Sequence, residues 1–338
     1  MKRTGTTLFV GLGLIATTLV AGCGAEQTGK AGTTVGSGPK AELLRAFQNL
    51  GDPQELGVQA RLESSRADLV KINAAQPKTE RMSKEDIDLA VAALDGRISS
   101  NFSAAEDKTL SDGPDSYQVS VQLKDSSLVD VVGVDDQFYL RVDADWWTDQ
   151  FGTNVAEART VFDDVPPVFA DPGNALLDSR WISINLPEAE QALTKDGLLE
   201  DLTEIGAPDP TRGYDLLNSL KTAFEKDVKV TTIDGGYRMT APAKQIAESV
   251  QDDLAALTGD TEIASIDEMP DQDVAVDLYV DNGKLTGLNV DLVQFLEKPV
   301  KGANLALDVE IDQQAEPVQA PADATVADVP AIIAYFSS

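Results

Sequence analysis

The fold of this chain is indicated most clearly by residues 274–292, which read VAVDLYVDNGKLTGLNVDL. Apolar residues alternate with others on both sides of Asn282-Gly283: Val274, Val276, Leu278 and Val280 before it, and Leu288, Val290 and Leu292 after it. A period of two predicts two antiparallel strands that each have one apolar face. A two-residue Asn282-Gly283 loop would pair Val276 with Asn289 and split that face. The pattern therefore predicts a three-residue loop, Asp281 to Gly283, that pairs Val276 with Leu288.

Similar alternation predicts further strands at residues 58–62, 117–123, 128–134, 138–142, 181–184, 228–233, 237–240 and 305–311. Apolar stripes with a period near 3.6 predict helices at 41–50, 83–94, 198–205, 217–224 and 242–257. The second of these begins with Ser83 and Asp86, which are spaced as in a capping box. Hairpins between most neighbouring strands, without repeated βαβ units, predict an α+β protein with a mainly antiparallel sheet.

Two regions fit this pattern less well. Trp146 and Trp147 follow the strand at 138–142 and are predicted to end it, with one ring packed inward and the other at a rim. The alternative is a platform on which a carbohydrate stacks. Residues 153–210 are broken by prolines and are interpreted as an extra segment, and residues 313–338 as a C-terminal tail rich in Pro and Ala.

The N-terminus has the features of an export signal. Lys2 and Arg3 precede a mostly apolar run from Leu8 to Val20, which predicts a signal peptide over residues 1–22. The run ends in Val20-Ala21-Gly22-Cys23, which looks like the lipobox of bacterial lipoproteins, where the cysteine receives a diacylglyceryl anchor. The alternative is an ordinary signal peptide that happens to contain a thiol. Residues 23–39 are rich in Gly and Thr and are interpreted as the lipidated flexible tether.

Composition excludes several classes of protein. The chain has 27 basic and 57 acidic residues, no histidine and one cysteine, and its formal net charge is −30. This charge repels nucleic acid, and one thiol cannot form an internal disulfide. Without histidine there is no Ser-His-Asp triad and no imidazole zinc ligand. Asp143 with Asp145, and Ser37 with Lys40, are weak catalytic candidates. We expect no enzyme activity, no metal and no cofactor.

The order of elements in residues 132–151, 216–250 and 274–292 resembles the LolA/LprG-like lipoproteins of mycobacteria and related actinobacteria, of the LppX/LprAFG type. The matching features are the Tyr139-Leu140 strand with Trp147 and the hairpin quoted above. The resemblance implies that residues 40–312 form a curved, mainly antiparallel half-barrel with helices packed on its concave side around an apolar cavity. It also implies binding of lipid or lipoglycan acyl chains and their carriage through the envelope, without catalysis. Residues 153–210 and the strong acidity depart from the family.

If the resemblance holds, the ligand face includes the apolar strand residues Phe138, Leu140, Val276, Leu278, Leu288 and Val290. The alternative is that these side chains form a filled core. The predicted protein is a monomer, anchored through Cys23 at the extracytoplasmic face of the cell membrane. Two other functions stay open: a tethered interaction or sensor protein without a small ligand and, less favoured, a solute-binding protein of a transporter.

Overall fold

The computed structural model describes residues 38–79, 81–124, 126–163, 165–195, 228–244, 272–296 and 299–336. The chain divides into two compact units, which are described separately. Unit 1 comprises Met1–Ile98, Ala104–Pro114 and Pro208–Glu316, and unit 2 comprises Ser99–Ser103, Asp115–Ala207 and Pro317–Ser338. The predicted signal peptide, Cys23, most of the tether and the helices predicted at 198–205 and 217–224 lie outside the described residues. So does most of the helix predicted at 242–257.

Twelve strands are described: β1 (Glu55–Ser64), β2 (Gly96–Ser103), β3 (Ser116–Leu123), β4 (Ser126–Val134), β5 (Gln137–Val142), β6 (Ile182–Asn185), β7 (Lys229–Ile233), β8 (Gly236–Pro242), β9 (Asp273–Asp281), β10 (Lys284–Asp291), β11 (Leu305–Asp312) and β12 (Thr325–Val326). In unit 1 the strand order is β1-β11-β10-β9-β8-β7, and every pair is antiparallel. In unit 2 the order is β3-β4-β5-β6-β12, in which only β6 and β12 are parallel.

Eight α-helices are described: α1 (Pro39–Gln48), α2 (Arg66–Ala75), α3 (Lys84–Ala93), α4 (Ala144–Gln150), α5 (Val155–Asp163), α6 (Pro167–Leu177), α7 (Leu186–Lys195) and α8 (Val329–Phe336). The α+β class with a mainly antiparallel sheet is therefore confirmed. The start of α3 is also as predicted, because Ser83 Oγ accepts the Asp86 N–H at 3.1 Å and the Asp86 carboxylate accepts the Ser83 N–H at 3.0 Å.

The loop predicted between β9 and β10 is wrong. Asp281 pairs directly with Lys284, so the loop has two residues, Asn282 and Gly283, with φ angles of 51° and 78°. Asn-Gly suits such a loop because both residues tolerate the left-handed conformation. The apolar face is preserved in another way. A β-bulge at Thr286 shifts the register, so that Leu288 faces Leu278.

The placement of Trp146 and Trp147 at the end of a strand is also wrong, because both lie on helix α4. The helix begins there because the Asp143 carboxylate accepts the Trp146 N–H at 3.0 Å and caps it. Trp147 donates its indole N–H to the Leu128 carbonyl at 3.2 Å, and Trp146 packs edge-on against it with ring centroids 4.9 Å apart. The carboxylate of Asp143 is thus a helix cap, while Asp145 is exposed.

The two segments that sequence resolved least well contain regular elements of unit 2. Residues 153–195 form α5, α6, β6 and α7, and Pro167 occupies the first turn of α6, where its missing N–H is tolerated. The predicted tail contributes β12, which pairs with β6, and α8, which contacts α7 and α6. Within these contacts the rings of Phe169 and Tyr335 lie 5.1 Å apart.

Candidate functional site

Unit 1 presents one continuous apolar face across strands β8 to β1. The register places Leu278 between Tyr237 and Leu288, and Leu288 opposite Val309. Further rows on the same face join Met239 to Val276, Val290 to Leu307, and Val309 to Ala60. Four of the six residues predicted for the ligand face, Val276, Leu278, Leu288 and Val290, are therefore neighbours on one surface.

These four side chains differ in burial. Leu278 is only 1% exposed and is packed core, as are Val309 and Met239 in the same rows. Val276, Leu288 and Val290 are half-buried. The alternation of the sequence does not distinguish the two groups, because burial depends on what covers the sheet as well as on the direction of the side chain.

Helix α1 covers the end of this face at the β9–β10 hairpin. It contacts β10 and β7 and buries Ala41, Leu43 and Ala46. Two polar contacts hold it there. The Tyr237 hydroxyl donates to the Glu42 carboxylate, which raises the pKa of Tyr237, and Asn49 Nδ2 donates to the Gly283 carbonyl at 3.0 Å. Helix α1 is also the first described element after the predicted tether.

The other two predicted residues, Phe138 and Leu140, belong to unit 2. They lie on β5, half-buried, with Ile184 and Ile182 opposite them on β6 and Gly133 and Val131 opposite them on β4. Unit 2 thus has an apolar sheet face of its own. The six predicted residues form two separate groups, four in unit 1 and two in unit 2.

The opposite face of the unit 1 sheet is polar. Arg238 donates to both carboxylate oxygens of Asp277 at 2.6 Å, and Arg61 donates to Asp308 at 3.1 and 2.9 Å. The hydrogen bonds to Asp277 and Asp308 raise the pKa values of Arg238 and Arg61, respectively. Asn289 lies between the two aspartates in register and makes a long contact of 3.5 Å with Asp308.

Two adjoining pockets open beside this polar row. One has a volume of about 220 Å³ and is lined by Arg238, Ala275, Asp277, Asn289, Asp291 and Gln294. The other, of about 310 Å³, shares Asp291 and Gln294 and extends along residues 299–303. Neither is lined by a residue predicted for the ligand face. The sequence signal for these pockets is the set of polar residues that alternate with the apolar ones on β8, β9 and β10.

Unit 2 contains a buried charged group. Asp130 is 4% exposed; it accepts Ser120 Oγ at 2.6 Å and Arg141 Nη2 and Nε at 2.8 and 3.0 Å. Burial acts to raise the pKa of Asp130, but these hydrogen bonds outweigh it and the pKa is lowered. The Arg141 guanidinium also lies 4.9 Å from the centre of the Trp181 ring. This network joins β3, β4 and β5 and has a structural role.

Within the described ranges, no three acidic or cysteine side chains converge in a way that could hold a metal ion. No described helix is long and apolar enough to span a bilayer.

No protein-family model and no curated protein matches this chain. Among solved structures, the Mycobacterium tuberculosis lipoprotein LppX is similar, with a TM-score of 0.31 and 11% identity, over 83% of this chain and 97% of that chain. A TM-score at this level shows neither family nor function, so membership of the LolA/LprG-like family stays a prediction.

Proposed function

We propose that this protein is a lipoprotein of the cell envelope, anchored through Cys23 at the extracytoplasmic face of the membrane. The apolar face of unit 1 would bind an acyl chain of a lipid or lipoglycan and carry it without catalysing a reaction. The anchor rests on the lipobox-like sequence, since two acyl chains hold a protein on a bilayer firmly where one does not.

The observation that carries the ligand proposal is unequal burial along one apolar surface. Leu278 is completely packed, while Leu288, its partner across the strands, is half-buried together with Val276 and Val290. Incompletely covered apolar side chains that adjoin each other are what a hydrophobic ligand needs, because the ligand gains by removing that area from water.

The position of α1 adds a second argument. The helix follows the predicted tether directly, and only about 15 residues separate Pro39 from Cys23; for the flexible coil that the sequence predicts, this corresponds to a reach of roughly 20 Å. Since α1 packs against β10, this tether would hold the apolar face within a short distance of the proposed lipid anchor. A ligand leaving the bilayer would have little aqueous distance to cross.

The test is native mass spectrometry of the full chain, purified from an actinobacterial host and released from detergent micelles. We expect a non-covalent lipid adduct that organic extraction removes, whereas the covalent anchor on Cys23 remains. Leu288→Phe fills the half-buried position and is expected to abolish the adduct. Leu89→Phe is the matched control, because Leu89 is 70% exposed on α3, and it should retain the adduct.

A mass without adduct in the unmodified chain, with no uptake from added phospholipid vesicles, would contradict the carrier function. It would favour a tethered interaction protein whose partner must be found by cross-linking. Circular dichroism of each variant must match that of the unmodified chain, so that loss of lipid is not simply loss of fold.

A further inference from the structure

The structure assigns a second binding site to the polar face of the unit 1 sheet, and we propose that it takes a neutral saccharide. The site is the pocket lined by Asp277, Asn289 and Asp291, and Tyr279 lies on the same face of β9, two residues from Asp277. It does not depend on the proposed lipid function, because alternate residues of a strand point to opposite faces and Asp277 is flanked by Val276 and Leu278.

The register brings the lining side chains together. Arg238 on β8 and Asn289 on β10 both pair with Asp277 on β9, and Asp291 lies two residues beyond Asn289 on the same face. The pocket that they line, with Ala275 and Gln294, has a volume of about 220 Å³.

The polar groups of the pocket are already held in place. Arg238 fixes Asp277 through two hydrogen bonds of 2.6 Å. Gln294 accepts the Ala275 N–H at 2.7 Å and donates to the Ala275 carbonyl at 2.8 Å, so its side chain forms a fixed wall. Asp291 accepts the Val293 N–H at 2.9 Å. Groups that are ordered before a ligand arrives lose little entropy on binding it.

The chemistry of these groups fits a ligand rich in hydroxyls. A hydroxyl both donates and accepts, and the pocket offers the carboxylates of Asp277 and Asp291 as acceptors, the Arg238 guanidinium as a donor and the Asn289 amide as both. The charges of Arg238 and Asp277 compensate each other, and the remaining carboxylate of Asp291 repels an anion. A neutral polyhydroxylated molecule meets each of these conditions.

The exposed side chain of Tyr279 indicates that the hydroxyls of the ligand are carried by a sugar ring. It lies two residues from Asp277 on the same face, a distance of roughly 7 Å along the strand. Its partners on both neighbouring strands are glycines, Gly236 and Gly287, which have no side chain to cover it, and it remains 36% exposed. An exposed aromatic ring on the same sheet face as the fixed polar groups, and two residues from Asp277, fits a sugar, whose ring has an apolar C–H surface and a polar edge.

The same sheet face supplies a matched control. Asp308 is also held by an arginine, Arg61, and its side chain is 17% exposed against 18% for Asp277. Asp308 does not line the pocket. Replacing either aspartate by asparagine therefore removes the same kind of ion pair from the same surface, but only Asp277 lines the pocket, whereas Asp308 reaches it only through the long 3.5 Å contact with Asn289.

The experiment is titration of the ¹⁵N-labelled full chain in detergent micelles with methyl glucoside, methyl mannoside and methyl galactoside, followed by NMR. We expect at least one of them to shift the resonances of residues 275–279 and 287–294. Asp277→Asn should weaken its binding about tenfold, which corresponds to one charge-assisted hydrogen bond. Tyr279→Ala should weaken it by several-fold, and Asp308→Asn should leave it unchanged.

Three outcomes would overturn the proposal. One is the absence of shifts with every glycoside at about 100 mM, because a dissociation constant above that concentration is too weak for a specific site. Another is an equal effect of Asp277→Asn and Asp308→Asn, which would mean that the charged surface acts without the pocket. The third is an equal response to glycerol, which has hydroxyls but no ring. The lipid adduct of the unmodified chain, measured separately, is unaffected by any of these results.

Discussion

Asp130 offers the most direct test of how burial determines the contribution of an ion pair to the stability of this protein. Its carboxylate is 4% exposed and accepts hydrogen bonds from Ser120 and Arg141. Asp130→Asn keeps the shape of the side chain but removes the charge that both donors address. A hydrogen bond to a charged group contributes about 1.5–3 kcal/mol, and the Arg141 side chain is 39% exposed, so screening reduces its share.

We therefore expect Asp130→Asn to lower the free energy of unfolding by roughly 2 kcal/mol, or the midpoint temperature by about 4–8 °C. The assay is thermal unfolding followed by tryptophan fluorescence. All three tryptophans, Trp146, Trp147 and Trp181, lie in unit 2 with Asp130, so their emission reports the unit that contains the substitution.

The pH dependence gives a second measure of the same group. The pKa of Asp130 is lower in the folded chain than the ordinary aspartate value near 3.9, so its charge stabilises the folded state above about pH 4. That contribution is lost as the pH falls through the folded-state pKa. The difference in stability between the unmodified chain and Asp130→Asn should thus be largest near neutrality and shrink in acid.

Asp178 is the control, because it also pairs with two arginines, Arg159 and Arg180, but its side chain is 40% exposed. Asp178→Asn should leave the unfolding midpoint close to that of the unmodified chain, since exposed ion pairs are well screened. An equal loss for the two variants, or a difference for Asp130→Asn that does not shrink in acid, would refute the argument from burial.

Three further predictions concern unit 1 and are checked by urea unfolding followed by circular dichroism. Leu278→Ala should cost about 2–5 kcal/mol because it opens a cavity in packed core, and Leu288→Ala about half as much. Asn282→Val should cost roughly 1–2 kcal/mol because φ at this position is 51°, whereas Asn282→Gly should be nearly neutral. Deletion of Thr286 should cost less than Leu278→Ala, because it removes only the bulged residue and leaves Leu285 opposite Val280 and Leu288 opposite Leu278.

Local patterns predicted ten of the twelve described strands, but only two of the eight described helices, α1 and α3. Strand β11 lies where alternating Leu305, Leu307, Val309 and Ile311 placed it, and α3 begins at the capping box of Ser83. Each of these signals acts within a few residues of the chain. The hairpin loop shows the limit of such reasoning. The alternation of apolar residues on the two strands required one extra residue in the hairpin. It did not indicate whether that residue would lie in the loop or in a bulge, and the structure has the bulge, at Thr286.

Trp146 and Trp147 show a different limit. Asp143 can end a strand or cap a helix, and the seven residues of α4 are too few to show a helical period. The packing of Trp147 against the Leu128 carbonyl joins residues that are 19 positions apart, and no local pattern contains that contact. Residues 153–195 were obscure for a similar reason, because proline at the first turn of a helix looks the same in sequence as proline in a loop.

For the candidate sites, the sequence predicted which face of the sheet a side chain lies on better than whether that side chain is packed or exposed to a ligand. Alternation placed Leu278 and Leu288 on one face correctly, yet one is fully packed and the other is not. The polar pocket was missed because Arg238 and Asp277 are 39 positions apart and meet only through the strand register. A site assembled across strands becomes visible only when the pairing is known.

The pleat of the sheet makes the two proposed sites physically separable. Leu288 and Asn289 are adjacent in the chain, but they point to opposite faces, one towards the apolar surface and the other into the polar pocket. A bulky residue at 288 should remove the lipid and leave saccharide binding unchanged, and Asp277→Asn should do the reverse. If each substitution removed both ligands, the two faces would be coupled, and a single amphiphilic ligand that reaches around the edge of the sheet would explain the data better than two independent sites.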